Sequence, residues 1–181
     1  MKRLSIDYDI PEADLEIAKG LCSGEAFNKY SIQEDGSGQL TGFLAEIAFK
    51  RLFWHLEFEY VGHRSFEHDF LLGAIKFDIK AKQRNVLCQP DYDIHIRTNQ
   101  RNYDCDYYIF ASVYKTEKVE FMSYMRKDMF WRNCRVYSEG DGNDFTEKAE
   151  AGKLRYCDAL PITDLIDKVE TYVYQKAFGE K

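Results

Sequence analysis

Apolar and polar positions along this chain fall into two rhythms. Between Leu40 and Leu56, residues such as Phe43, Leu44, Ile47 and Ala48 recur at the three- and four-residue spacing of an amphipathic helix. A second helix is predicted to start at Ile10-Pro11, where proline fits the first turn and Glu12, Asp14 and Glu16 lie near the positive end of the dipole. A third follows Pro161, with Leu165, Ile166, Val169, Tyr172, Val173 and Ala177 along one stripe. Elsewhere the period shortens to two. Phe58–Val61, Phe66–Leu72 and Ile75–Ala81 read as strands, and a further short strand is expected around Leu154–Leu160. Tyr107–Tyr114 is apolar on both faces, as a central strand is. Val119–Tyr124 should pair with it across the turn Lys115-Thr116-Glu117-Lys118. Gln33–Gly38 reads as a polar break and Ser138–Gly152 as a mobile acidic loop. This order predicts an α/β fold, a mixed central β-sheet flanked by helices. One domain spans 1–181, with 1–38 an N-terminal helical segment and 40–178 the core.

The strongest chemical signal lies in the run Glu67-His68-Asp69-Phe70-Leu71-Leu72-Gly73-Ala74-Ile75-Lys76-Phe77-Asp78-Ile79-Lys80-Ala81-Lys82. Gly73-Ala74 suits a two-residue type II′ hairpin turn. That turn sets Leu72 against Ile75, Phe70 against Phe77 and Asp69 against Asp78. Opposed residues have Cβ atoms roughly 4.5–5.5 Å apart, and like charges so placed destabilise a sheet unless something compensates. Alternation puts Asp78, Lys80 and Lys82 on one face. A divalent cation such as Mg²⁺, which takes a few carboxylates and keeps its own waters, is the natural compensator. A third acid, Glu46, sits within the predicted helix; it could equally form a surface pair with Lys50 at the favourable four-residue spacing.

Gly42-Phe43-Leu44-Ala45-Glu46 on a helix, then Asp69, then Asp78-Ile79-Lys80 on adjoining strands, resembles the PD-(D/E)XK, or restriction-endonuclease-like, nuclease superfamily. The run Tyr156–Leu165 is similar to the closing strand-to-helix segment of many members, so the resemblance spans about Gly42–Val173. The chain departs from the pattern in having His68 where proline often precedes the first acid, and in placing Gln83 only three positions after Lys80. The resemblance implies a restriction-endonuclease-like core and an Mg²⁺- or Mn²⁺-dependent deoxyribonuclease, an endonuclease rather than an exonuclease. Its metal ligands would be Asp69, Asp78, the Ile79 carbonyl and Glu46. Lys80 would orient or deprotonate the attacking water, its pKa open to lowering near metal and phosphate. DNA is the implied partner. A non-catalytic module that keeps the fold to hold nucleic acid or protein is the alternative.

Composition narrows the setting. No apolar run approaches the roughly 20 residues that span a bilayer, and Met1–Asp7 lacks a signal-peptide core, so a cytoplasmic protein without a membrane partner is expected. The five cysteines, Cys22, Cys88, Cys105, Cys134 and Cys157, show no metal-knuckle or redox spacing and read as reduced thiols. The net charge of −6 argues against coating nucleic acid by bulk charge. Charge is uneven, however. Residues 76–101 hold six basic side chains (Lys76, Lys80, Lys82, Arg84, Arg97, Arg101) against three acidic ones. Arg84, Arg97 and Arg101 are candidate DNA contacts from this stretch, and the resemblance adds Lys82 and Gln83 as candidates for positioning the site and contacting phosphate. Arg126, Lys127, Arg132 and Arg135 interleave with Met125, Met129, Phe130 and Trp131, which fits a DNA-facing helix or an amphipathic helix with its aromatics in the core. His55, His63 and His68 match no compact zinc pattern, and no flanking pattern supports a cysteine nucleophile. A single site that must cut both strands suggests a homodimer.

Overall fold

In a computed structural model of the chain, the residues described are 5–22, 37–62, 67–138, 140 and 150–178. The fold is mixed α/β. Its spine is the hairpin of β6 (Tyr107–Tyr114) and β7 (Lys118–Arg126), whose turn holds Lys115 and Thr116 at φ 47° and 60°. β4 (Ile75–Arg84) runs parallel to β6, and β3 (Phe70–Leu72) and β2 (Glu59–Tyr60) extend the sheet antiparallel. The far edge of β7 is shared by β1 (Ile6–Asp9) and β10 (Leu160–Pro161). A second sheet of three antiparallel strands has the order β5 (Asp93–Arg97), β9 (Ala151–Arg155), β8 (Arg135–Tyr137).

β6 and β7 are buried on both faces, so each face of the main sheet meets a core. On one side lie α1 (Glu12–Cys22), α2 (Ser37–Leu52) and α4 (Ile162–Phe178), over Phe77, Ile79, Ile109, Ala111 and Phe121. Phe49 of α2 is the hub there, its ring centre 4.8–5.6 Å from those of Phe53, Phe58, Phe70 and Phe121. On the other side the small sheet and α3 (Lys127–Asn133) cover Tyr108, Phe110 and Met122 with Ile94, Ile96, Leu154 and Phe130. Phe130 of α3 is fully buried and Trp131 packs partly against the same core, Met129 is exposed, and Arg126 pairs with Asp128.

Several boundaries differ from the sequence reading. α2 starts at Ser37, inside the stretch read as a break, and ends at Leu52. Leu56 is buried in the turn that follows, which prolonged the apparent helical stripe. The expected strand Leu154–Leu160 divides into β9, a 3-10 turn over Tyr156–Asp158 and β10, because its apolar residues serve two different sheets. Residues 33–36, 63–66, 139 and 141–149, part of the expected break, of the Phe66–Leu72 strand and of the mobile loop, lie outside the described residues. All five cysteines are free thiols.

Asp14, read as a helix-dipole acid, is 2% exposed. It accepts hydrogen bonds from the Tyr8 hydroxyl of β1 and from Arg51 of α2, the latter at 3.0 Å. One carboxylate therefore ties three elements. Asp14→Ala is expected to cost about 1–3 kcal/mol, since Tyr8 loses its buried acceptor while exposed Arg51 can return to water. A urea titration measures this, and a loss under about 0.5 kcal/mol would show the tie to be incidental.

Candidate active site

The hairpin forms in the expected register: Leu72 pairs with Ile75, Leu71 with Lys76 and Phe70 with Phe77. Gly73 turns at φ 61° whereas Ala74 keeps a negative φ, the sign pattern of a type II′ turn. One step beyond the last pair, the Asp69 N–H donates to the Phe77 carbonyl at 2.8 Å. Asp69 has left the strand by then, and its carboxylate accepts the Ile79 N–H at 2.7 Å. Asp78 is buried beneath it, and Lys80 Nζ lies 2.6 Å from Asp78 Oδ2, with side-chain exposures of 16% and 7%. Asp78 Oδ2 is sealed from solvent, so this ammonium is its charge partner.

Glu46 belongs to the same electrostatic cluster. It projects from α2, is half-buried, and accepts the Tyr60 hydroxyl at 2.8 Å. Lys50, its alternative partner, lies instead over the Tyr60 ring, 5.2 Å from the centroid. Burial pushes the Glu46 carboxyl up to about 7; the Tyr60 hydrogen bond and Lys80 oppose this, and Asp78 adds to it. Asp69 is held well above the usual carboxylate range by burial, then by Glu46 and Asp78. Asp78 is raised by burial, with Lys80 and Asp69 working against it. Three acids thus compete for one ammonium. Burial pulls the Lys80 ammonium down, but Asp78 and Asp69 outweigh it and hold its pKa above the ordinary lysine value. With its acids ionised and no cation added, Lys80 is a proton donor.

Neighbours that the sequence did not single out complete the site. Parallel pairing sets Tyr108 beside Asp78, and the Lys80 ammonium lies 5.8 Å from the Tyr108 ring centre. Trp131 of α3 donates to the Tyr108 hydroxyl at 3.1 Å. Strict alternation had turned His68 away, but Asp69 occupies a bend, and His68 comes within electrostatic reach of Asp78. Its Nδ1 sits 2.9 Å from the Asp104 carbonyl. A carbonyl only accepts, so the proton is on Nδ1. The Cys105 thiol, beside the same acids, is pushed up to about 12, mainly by burial.

The basic candidates occupy other ground. Arg84 is structural: it donates to the Asp93 carbonyl at 2.8 Å and stacks on Tyr92 and Tyr156. Lys82 Nζ lies 3.2 Å from His95 Nε2. Gln83 is exposed. Arg97 is half-buried, which lowers its pKa, and exposed Arg101 covers the Trp131 ring. His55 faces Glu170 of α4, apart from His68, and His63 lies outside the described residues. A groove of about 860 Å³ runs along α4, walled by Phe77, Tyr107, Tyr124, Leu165 and Tyr172; none of Glu46, Asp69, Asp78 or Lys80 lines it.

Among the described residues no group of three or more His, Cys, Asp or Glu side chains is already disposed to hold a metal ion. A two-carboxylate site completed by main chain and water fits the donor set better. It would offset the surplus of acid over amine among Glu46, Asp69, Asp78 and Lys80.

Gly62 supports this arrangement from the β2 side. Its φ is 57°, and a Cβ there would stand 2.8 Å from Tyr60 Cε1. Gly62→Ala should therefore displace the ring that holds Glu46 and cost about 1–3 kcal/mol in strain. Tyr60→Phe, which deletes the hydrogen bond alone, should cost about 1 kcal/mol. Equal losses in thermal melts of the two variants would rule out this steric coupling.

No family model matches the chain, and comparisons with curated proteins and with solved structures return no match.

Proposed function

We propose that this protein is a divalent-metal-dependent deoxyribonuclease with a restriction-endonuclease-like core. The observation that carries the reading is the cluster at the end of the hairpin: Asp69 accepts the Ile79 N–H, buried Asp78 lies 2.6 Å from the Lys80 ammonium, and Asp69, Asp78 and Glu46 are near enough to perturb one another's ionisation. Stability alone gives little reason to bury that combination, because three carboxyl groups share one ammonium and like charges side by side cost free energy. The chain order from the Glu46 helix through β2, β3 and β4 to a parallel partner strand supports the same reading.

Asp69 and Asp78 would hold Mg²⁺ or Mn²⁺, with the Ile79 carbonyl and Glu46 as further ligands. The ion would supply charge stabilisation at the phosphoryl oxygens and a water of lowered pKa. The protein's own residues do the rest. Asp69 is fixed by the Ile79 N–H, so one carboxylate oxygen is spent on position and the other is left for binding. Tyr60 orients Glu46 in the same way. Lys80, held as an ammonium, presents its protons to the incoming water and to the phosphate, where negative charge develops. Cutting both strands of a duplex from one such site would require a second copy of the chain.

The absence of a ready-made three-ligand group among the described residues favours one competitor, a non-catalytic nucleic-acid- or protein-binding module. Incubating the protein with linear, supercoiled, single-stranded and branched DNA, with Mg²⁺, Mn²⁺ or EDTA, separates the two. Metal-dependent cleavage is expected. DNA binding without cleavage under every metal condition would favour the module.

A further inference from the structure

The three-stranded sheet is not needed to assemble Glu46, Asp69, Asp78 and Lys80, yet it carries a distinctive charge pattern. Ile94, Ile96 and Leu154 turn inward onto Tyr108 and Phe110, so alternate residues of β5 and β9 face the opposite way. On that outer face the registers align His95 with Lys153 and Lys153 with Arg135, one row across all three strands. Lys82 extends the row toward β4, its ammonium 3.2 Å from His95 Nε2. An ammonium has no acceptor, so His95 is neutral there and carries its proton on Nδ1. Tyr137 lies beside the row with Lys153 and Arg135 over its ring, 4.2 and 4.9 Å from the centroid.

Directly opposed cations on neighbouring strands weaken a sheet, by the same rule that makes the paired acids costly. Lys153 against Arg135 is such a pair, and it stands in a chain whose net charge is −6. Asp93 of β5 shares this face with His95, two residues away. Across three strands the row spans roughly 10 Å. About three phosphates of one DNA strand occupy that axial length. The row also has a direction, because Lys82 lies on the same face of β4 as Asp78 and Lys80.

We infer that the outer face of the three-stranded sheet is a docking platform for the phosphate backbone of duplex DNA, with Lys82, Lys153 and Arg135 as its phosphate contacts. This rests on the nuclease reading for its choice of partner, though the binding it describes needs neither metal nor cleavage. Each cation takes a phosphate and releases a condensed counterion, so affinity falls with salt in proportion to the number of contacts. Neutral His95 spaces two of the cations.

The test uses the full chain and a fluorescent DNA duplex in EDTA, with anisotropy titrations at several salt concentrations. Lys153→Gln and Arg135→Gln together should weaken binding about ten-fold near physiological salt and reduce the slope of log affinity against log salt by about 2, one per lost phosphate contact. The charge-conserving pair Lys153→Arg and Arg135→Lys should keep wild-type affinity and slope, which separates charge from packing. Wild-type-like binding by the glutamine pair, equal losses in both pairs, or no binding by the unaltered protein would each overturn the platform. The two readings fail differently. Cleavage by the unaltered protein with an affinity indifferent to these substitutions would sink the platform alone. Salt-sensitive binding lost in the glutamine pair, with no cleavage under any metal, would sink the nuclease reading alone.

Discussion

Asp78→Ala is expected to lower metal-dependent DNA cleavage by more than about 1,000-fold, and Lys80→Ala by about 100- to 1,000-fold. DNA affinity measured in EDTA should change little in either case. The difference follows from what each group does. Asp78 supplies the buried carboxylate that would meet the metal, so its loss removes the ion as well as a ligand. Lys80 contributes donated protons and charge at the phosphoryl group, which mutagenesis of comparable donors prices at two to three orders of magnitude. Folding needs a separate control, because Lys80→Ala leaves Asp78 buried beside Asp69 and Glu46 with no ammonium. Asp78→Asn keeps the shape while removing the charge, and should be as inactive as Asp78→Ala with a higher melting temperature. If Asp78→Asn, folded by circular dichroism, still cleaves at the wild-type rate, the metal reading of this site is wrong.

The hairpin was the most legible part of the molecule. Its register follows from turn chemistry and a period of two, both local, and the pairs Phe70–Phe77 and Leu72–Ile75 form as expected. The spine strand Tyr107–Tyr114 and its pairing with Val119–Tyr124 were legible for the same reason. What the sequence hid depends on contacts between distant segments. β1 is four residues long, and only its pairing with β7 makes it a strand. β5, β8 and β9 look like polar loop and short alternation until they pair with one another over the second core. Tyr108 became a site residue only through the parallel register with β4, which no local pattern specifies. The balance at Lys80 was hidden too: burial lowers its pKa, but Asp78 and Asp69, brought beside it by the fold, outweigh that and keep its proton in the metal-free protein.

In the metal-free protein, stability is expected to fall as pH rises from about 4.5 to about 7, and Mg²⁺ or Mn²⁺ should restore it. The sign follows from proton binding. Glu46 ionises near its ordinary value of 4.5 in the unfolded chain but near 7 in the folded one. Between those values the folded state holds the extra proton, so raising the pH favours unfolding. For Glu46 alone the loss is on the order of 3 kcal/mol, and Asp69 and Asp78 act in the same direction. Lys80 adds nothing in this window, because it is charged in both states until the pH exceeds the ordinary lysine range. A divalent ion binds the ionised acids and reverses the trend, so its stabilisation should be small near pH 5 and largest at pH 7–8. Thermal melts across this range, with EDTA or Mg²⁺, measure both effects. The combined variant Glu46→Gln and Asp78→Asn should show a flatter pH profile and a weaker response to metal, with other titrating groups common to both proteins. A profile as steep as that of the unaltered chain would mean that these acids do not share a buried, cation-seeking site.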